Sequence, residues 1–155
     1  MCVDLAAFFR DSQRVGHLAR ISATEEVELV RRYLAIEQLR FGPRLSISIR
    51  MNEDAARLAL PPLLLQPLVE NAVKHGIATL IDGGEVTIVI ERRDGRLVVS
   101  VDNPYDPDEQ RPGSGIGLAN VRGRLDALFG QAASLNASTD GSRFRVDLSL
   151  PAEEV

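Results

Sequence analysis

The chain has 155 residues, 45% apolar, 26% charged and 5% aromatic, with no tryptophan and a formal net charge of −4. That balance reads as one soluble globular domain, and the acidic charge and scarce stacking aromatics exclude nucleic acid as its partner. One cysteine, Cys2, excludes an internal disulfide and a thiolate metal cluster, and the two histidines, His17 and His75, leave few candidate zinc ligands.

Leu5, Phe8, Phe9, Val15 and Leu18 give residues 3–20 a weak helical pattern that starts without a cap. This segment reads either as the tail of a helix that begins elsewhere or as a frayed N-terminal helix. Ser22-Ala23-Thr24-Glu25 fits a capping box, and behind it Val27, Val30 and Leu34, widened by Leu29, Tyr33 and Ile36, recur at helical spacing until Gly42-Pro43. Leu45, Ile47, Ile49 and Met51 then alternate with polar residues, as in a half-buried strand. The most apolar run, Ala59 to Leu65, is short and carries Pro61 and Pro62, so nothing here spans a bilayer. With no signal-peptide pattern either, the chain reads as a cytoplasmic segment without direct membrane contact.

The stretch from Leu63 to Gly76 reads as a helix that Pro67 should kink or restart. It sets Leu65, Leu68, Val69, Ala72 and Val73 on a core face and Asn71, Lys74 and His75 on a polar one. A hairpin follows, with Val86, Ile88 and Ile90 on one strand, Leu97, Val99 and Val101 on the next, and Asp94-Gly95 as its turn. After Asp102-Asn103-Pro104 regularity stops, and residues 105–114 form a loop long enough for a lid or a disordered connection. Gly113-x-Gly115-x-Gly117 opens a helix with Leu118, Val121, Leu125 and Leu128 as its buried stripe, closed by Gly130. A weaker strand over 134–138, a turn at Asp140-Gly141 and a strand through Phe144, Val146, Leu148 and Leu150 complete the order. This order predicts an α+β fold, a two-layer sandwich whose mixed, mostly antiparallel sheet is covered on one face by helices.

Three glycines at a helix start offer free amides to an anion, and a carboxylate at a strand end can accept from an exocyclic amine. Alone, each is also an ordinary loop feature. In sequence they are Glu70-Asn71-x-x-Lys74-His75-Gly76, Asp102-Asn103, Gly113-x-Gly115-x-Gly117-Leu118 and Gly141-Ser142. This order resembles the N, G1, G2 and G3 boxes of the GHKL ATP-binding fold of histidine kinases, DNA gyrase, MutL and heat-shock chaperone ATPases. "YLAIEQLRFGPRL", "LPPLLLQPLVENAVKHGI" and "GIGLANVRGRL" resemble the LytS-like branch of sensor histidine kinases.

The resemblance implies ATP and Mg2+ as cofactors. It makes Asn71 the magnesium ligand, sets Lys74 and His75 near phosphate or ribose, and gives Asp102, followed by Asn103, the adenine amine. Gly113, Gly115 and Gly117, with Ile116 and Leu118, match the hinge of the ATP lid, and Ser142 stands beside the adenine. It also implies residues 1–20 as the tail of a dimerisation helix and 21–155 as the catalytic domain. The γ-phosphate would pass to a histidine on a dimerisation segment outside this chain, and from there to a response regulator. The parent kinase would be anchored in a membrane.

Three departures stand out. Pro104 replaces a G1 glycine, and Pro67 sits four residues before Asn71, where many relatives carry a catalytic side chain. That leaves Glu70 as a weak candidate base, turned about 100° from Asn71 on the helix. No Asn-Pro-His-Phe-type acceptor motif occurs, and His17 is misplaced for one. The alternatives are an anti-sigma-factor-like serine kinase and a nucleotide-dependent interaction module without phosphotransfer. A gyrase- or MutL-like clamp fits least.

Overall fold

The structure, a computed structural model, describes residues 2–16, 19–108 and 115–155. His17 and Gly113 therefore lie outside the described residues. Helix α1 spans Cys2–Gly16, and a two-residue strand β1, Ile21–Ser22, leads into helix α2, Ala23–Phe41. Strand β2 is Leu45–Met51, and a second short strand, β3 at Ala59–Leu60, pairs antiparallel with β1. Helix α3, Gln66–His75, precedes strands β4, Gly84–Arg93, and β5, Arg96–Pro104. Helix α4, Gly115–Phe129, is followed by β6, Ser134–Asp140, and β7, Arg143–Pro151.

The main sheet has the order β2-β4-β5-β7-β6, parallel between β2 and β4 and antiparallel elsewhere. The hairpin turn falls at Asp94 and Gly95, both with positive φ, as its sequence predicts. Period-two alternation then sorts each strand into two faces. Val86, Ile88, Ile90, Leu97, Val99, Val101, Val146, Leu148 and Leu150 join one core with the helices. The expected α+β sandwich is the fold found.

Local chemistry explains most element ends. The Ser22 hydroxyl accepts from Glu25 N at 3.1 Å, and Gly42 ends α2 at φ 59°. The core face expected from Leu65, Leu68, Val69, Ala72 and Val73 is buried throughout. Two expectations, for Pro67 and Leu128, need correction. Residues 63–65 are a turn and α3 begins at Gln66, so Pro67 lies in the first turn, where its missing N–H costs no hydrogen bond and kinks nothing. Strand β5 runs through Asp102, Asn103 and Pro104 as expected, the last two paired with Phe144 and Arg143. Leu128 is 59% exposed; Phe129, four residues after Leu125, packs against the core instead.

The turn before α3 is held from both sides. Glu26 of α2, fully buried, accepts from Leu63 N at 3.0 Å and Leu65 N at 2.9 Å. Arg124 of α4 donates to the carbonyls of Pro62 (2.8 Å) and Leu63 (3.1 Å). Leu63 sits at φ 60°, a conformation a bulky residue adopts only where its surroundings impose it. Carboxylate on the amides and guanidinium on the carbonyls impose it here. Thus α2 and α4 together set where α3 starts.

Burial raises the Glu26 pKa above its ordinary 4.5, although the amides of residues 63–65 and Arg124 pull it down. An acid raised in the folded state favours folding most below its unfolded pKa and loses that contribution as pH rises through the folded value. Wild-type stability is therefore expected to fall as pH rises through the window above 4.5, and Glu26→Gln should flatten that trend. Because Gln offers one acceptor where two amides need one each, the variant should also lose about 1–3 kcal/mol. Urea melts across this pH range check both.

Candidate functional site

The polar face of α3 looks out from a buried support. Ala72 and Val73 are each 1% exposed, whereas Asn71 and His75 are half-buried and Lys74 is exposed. Lys74 and His75 occupy the last turn of α3, where the carbonyl end of the helix dipole favours positive charge. Glu70 is half-buried and within 3.4 Å of Gln66 Nε2, one turn back on its own helix. No described donor or acceptor occupies the Asn71 side chain, so its amide oxygen is available to a ligand.

The end of α3 is fitted against the end of β5. A Cβ on Gly76 would collide with Asn103 Nδ2, and would lie 2.5 Å from Ala72 O and 2.7 Å from Pro104 O. The φ of −107° is open to any residue, so close approach rather than backbone conformation demands glycine here. The same logic accommodates Pro104. Its ring fills the space that a side chain on Gly84 would occupy. The proline that departs from the G1 pattern is thus matched by a glycine on the neighbouring strand β4.

Strand β5 separates the two residues expected beside adenine. Val99, Val101 and Asn103 face the helices, and Asn103 is 2% exposed. Asp102 lies on the other face with Ser100, between Thr87 and Arg145 in the ladder. Arg143 Nε donates to Asp102 Oδ1 at 2.6 Å, and Nη2 donates to the same oxygen. The structure therefore brings Asn71, Lys74, His75 and Asn103 to the helical side of the sheet and puts Asp102 behind it. The reason is parity: one step along a strand reverses the side chain. The alternation Val99, Val101, Asn103 carries that signal in the sequence. Charge alone draws the eye to Asp102.

Ser142 is exposed, and its carbonyl accepts from Tyr105 N at 2.9 Å, which holds the β6–β7 turn against the end of β5. Gly115, Ile116 and Gly117 form the first turn of α4, while Leu118, 8% exposed, points into the core. Leu118 thus supports that turn from below. A hollow of about 560 Å³ lies elsewhere, on the open face of the sheet beside Arg50, Val89, Ser100 and Arg145. It has neither a helix terminus nor the α3 polar face beside it, so it is not this site. Among the described residues no group of three or more His, Cys, Asp or Glu could hold a metal ion, and no helix is long and apolar enough to cross a membrane.

A family model described as histidine kinase-, DNA gyrase B- and HSP90-like ATPase matches residues 60–153. The chain belongs to this ATPase family. The matched span holds α3, the end of β5, the first turn of α4 and the β6–β7 turn, and the family is one of nucleotide-binding domains. The sensor histidine kinase BtsS of Escherichia coli strain K12 is 33% identical over 95% of this chain, and 26% of BtsS is covered. The sensor protein LytS of Staphylococcus saprophyticus is 30% identical over 97% of this chain, which covers 28% of LytS. The chain thus spans about a quarter of the length of these curated relatives. Full-length ShkA in complex with AMPPNP superposes with a TM-score of 0.64 at 19% identity, covering 97% of this chain and 36% of that one. That likeness shows the fold.

Residues that carry the site without forming its surface were not singled out from sequence: Glu26, Arg124, Gly84 and Arg143. Glu26 had a visible mark, since it falls one turn after Ala23 and one before Val30 on the apolar side of α2. For Gly76, replacement by alanine is expected to force apart the end of α3 and the end of β5, lowering stability by about 1–3 kcal/mol. A lowered urea midpoint with an unchanged m-value verifies this; an unchanged midpoint refutes it.

Proposed function

We propose that this chain is the ATP-binding catalytic module of a LytS-like sensor histidine kinase. In this reading it binds Mg-ATP and passes the γ-phosphate to a histidine on a dimerisation segment outside residues 1–155. The observation that carries the reading is the polar face of α3, Asn71, Lys74 and His75, fitted through Gly76 to the end of β5 within a span that matches the ATPase family. The kinase names of BtsS and LytS, and the AMPPNP held by ShkA, support it from the side of relatives.

The donor set fits a magnesium ion that arrives with its nucleotide. Magnesium takes oxygen ligands and keeps several waters, so one amide oxygen from Asn71, with phosphate oxygens, is sufficient protein ligation. When bound, magnesium would neutralise phosphate charge. The chain's own part is positioning: Lys74 and His75 offer donors to phosphate oxygens, and the first-turn amides of α4 offer more. In the transfer a bond forms from a histidine nitrogen to the γ-phosphorus as the bond to the bridging oxygen breaks, and ADP departs. Glu70, turned toward Gln66 on its own helix, is not assigned a role as base.

Residues 1–20 are read as the tail of the dimerisation region and 21–155 as the catalytic domain. Phe8 of α1 packs beside Tyr33 of α2 with ring centroids 6.2 Å apart, while Leu5 and Phe9 stay 42% and 57% exposed. Such apolar exposure on a terminal helix suits contact with a further segment. The phosphorylated histidine would then serve a response regulator in a two-component phosphorelay. The module would work in the cytoplasm, where ATP is supplied, as part of a membrane-anchored parent.

If Asn71 holds the magnesium, wild-type affinity for ATP should drop several-fold when the metal is chelated. Asn71→Ala should bind ATP equally weakly with and without magnesium. Calorimetric titrations of both proteins in magnesium and in EDTA decide the matter, and an equal magnesium response in the two removes Asn71 from the metal.

A further inference from the structure

The pairing of Asp102 with Arg143 on the open face leaves the helical side of β5 with a different polar group at its end. That group is the Asn103 amide. Its Nδ2 donates to Pro104 O at 2.9 Å, and it lies where only a glycine, Gly76, lets α3 approach. An amide has two donors on nitrogen and an acceptor on oxygen. With Nδ2 committed to a carbonyl, the orientation is set, and Oδ1 is the acceptor that remains. Among the described residues no donor reaches it. Asn103 is 2% exposed, yet Oδ1 is not a sealed-off atom, so this acceptor is open to a ligand N–H.

We propose that Asn103 Oδ1, not the Asp102 carboxylate, is the specificity-determining acceptor for the nucleotide base, selecting a purine with an amino group at position 6. The inference rests on the Mg-ATP reading above and adds the residue that discriminates the base. A 6-amino group donates to Oδ1. A 6-oxo group sets oxygen against oxygen, and the amide cannot turn to donate without breaking its bond to Pro104. Discrimination thus depends on a neutral amide pinned by its neighbour's carbonyl. Asp102 stays outside, tied by Arg143 to the opposite face of the sheet.

ATP and ITP are the probes, since both are purine triphosphates and differ in the group at position 6 and in the proton on N1 that accompanies the 6-oxo form. Calorimetry on the 155-residue chain with magnesium present is expected to give about tenfold or greater preference for ATP. Asn103→Ala should reduce the ratio to about one. Asp102→Ala should keep the wild-type ratio. Thermal melts of each variant establish folding; should Asn103→Ala not fold, Asp102→Ala still decides, because loss of the ATP preference in it overturns the proposal. A wild-type chain that binds ATP and ITP alike also overturns it, while leaving the Mg-ATP reading intact. Failure of the wild type to bind either nucleotide removes the Mg-ATP reading itself.

Discussion

The contact at Gly76 is the constraint on which the rest of the structure depends. At that position the end of α3 comes so near Asn103 and the Pro104 carbonyl that a single methyl group would not fit. The polar residues of one turn of helix are thereby held at a fixed distance from the end of a central strand. A helix carrying Asn71, Lys74 and His75 without this fit would be an ordinary amphipathic helix. With it, the side chains of Asn71, Lys74 and His75 and the Asn103 amide stand on one rigid frame, which is what a small polar ligand needs from its site.

The other end of α3 is fixed by different physics. Its start depends on a strained turn at Leu63, satisfied by Glu26 on one side and Arg124 on the other. Glu26 belongs to the helix that follows α1, and Arg124 to the helix that follows residues 109–114. Both ends of the Asn71 helix are therefore set by parts of the chain remote in sequence. A buried carboxylate and a half-buried guanidinium placed on backbone groups are well suited to that task, because removing Glu26 leaves backbone amides unpaired.

Much of this was legible in the sequence, and the remainder was hidden for identifiable reasons. Period-two alternation gave β2, β4, β5 and β7 their faces, and Asp94-Gly95 marked its turn because that dipeptide accepts two positive φ values. The order of elements led to the α+β sandwich, and the LytS-like motifs led to the family. Pro67 misled because a proline reads as a breaker until the helix start is known, and that start depends on Glu26 and Arg124. Pro104 looked disruptive because its compensation, Gly84, lies on another strand. Asp102 drew attention as the charged residue, yet strand parity gives the helical side to Asn103. Spacing reveals a face only when the register is carried to the strand's last residue.

The central claim is that nucleotide lies on the helical side of β5, between α3 and the start of α4. The most direct measurement is a titration of the isotopically labelled chain with Mg-ATP, followed by amide and side-chain amide NMR shifts. The account predicts the largest shifts at the side-chain amides of Asn71 and Asn103 and at the backbone of Gly76, with Ser100, Asp102 and Arg145 little moved. Shifts concentrated on Thr87, Ser100, Asp102 and Arg145, with Asn103 and Gly76 unmoved, would contradict it.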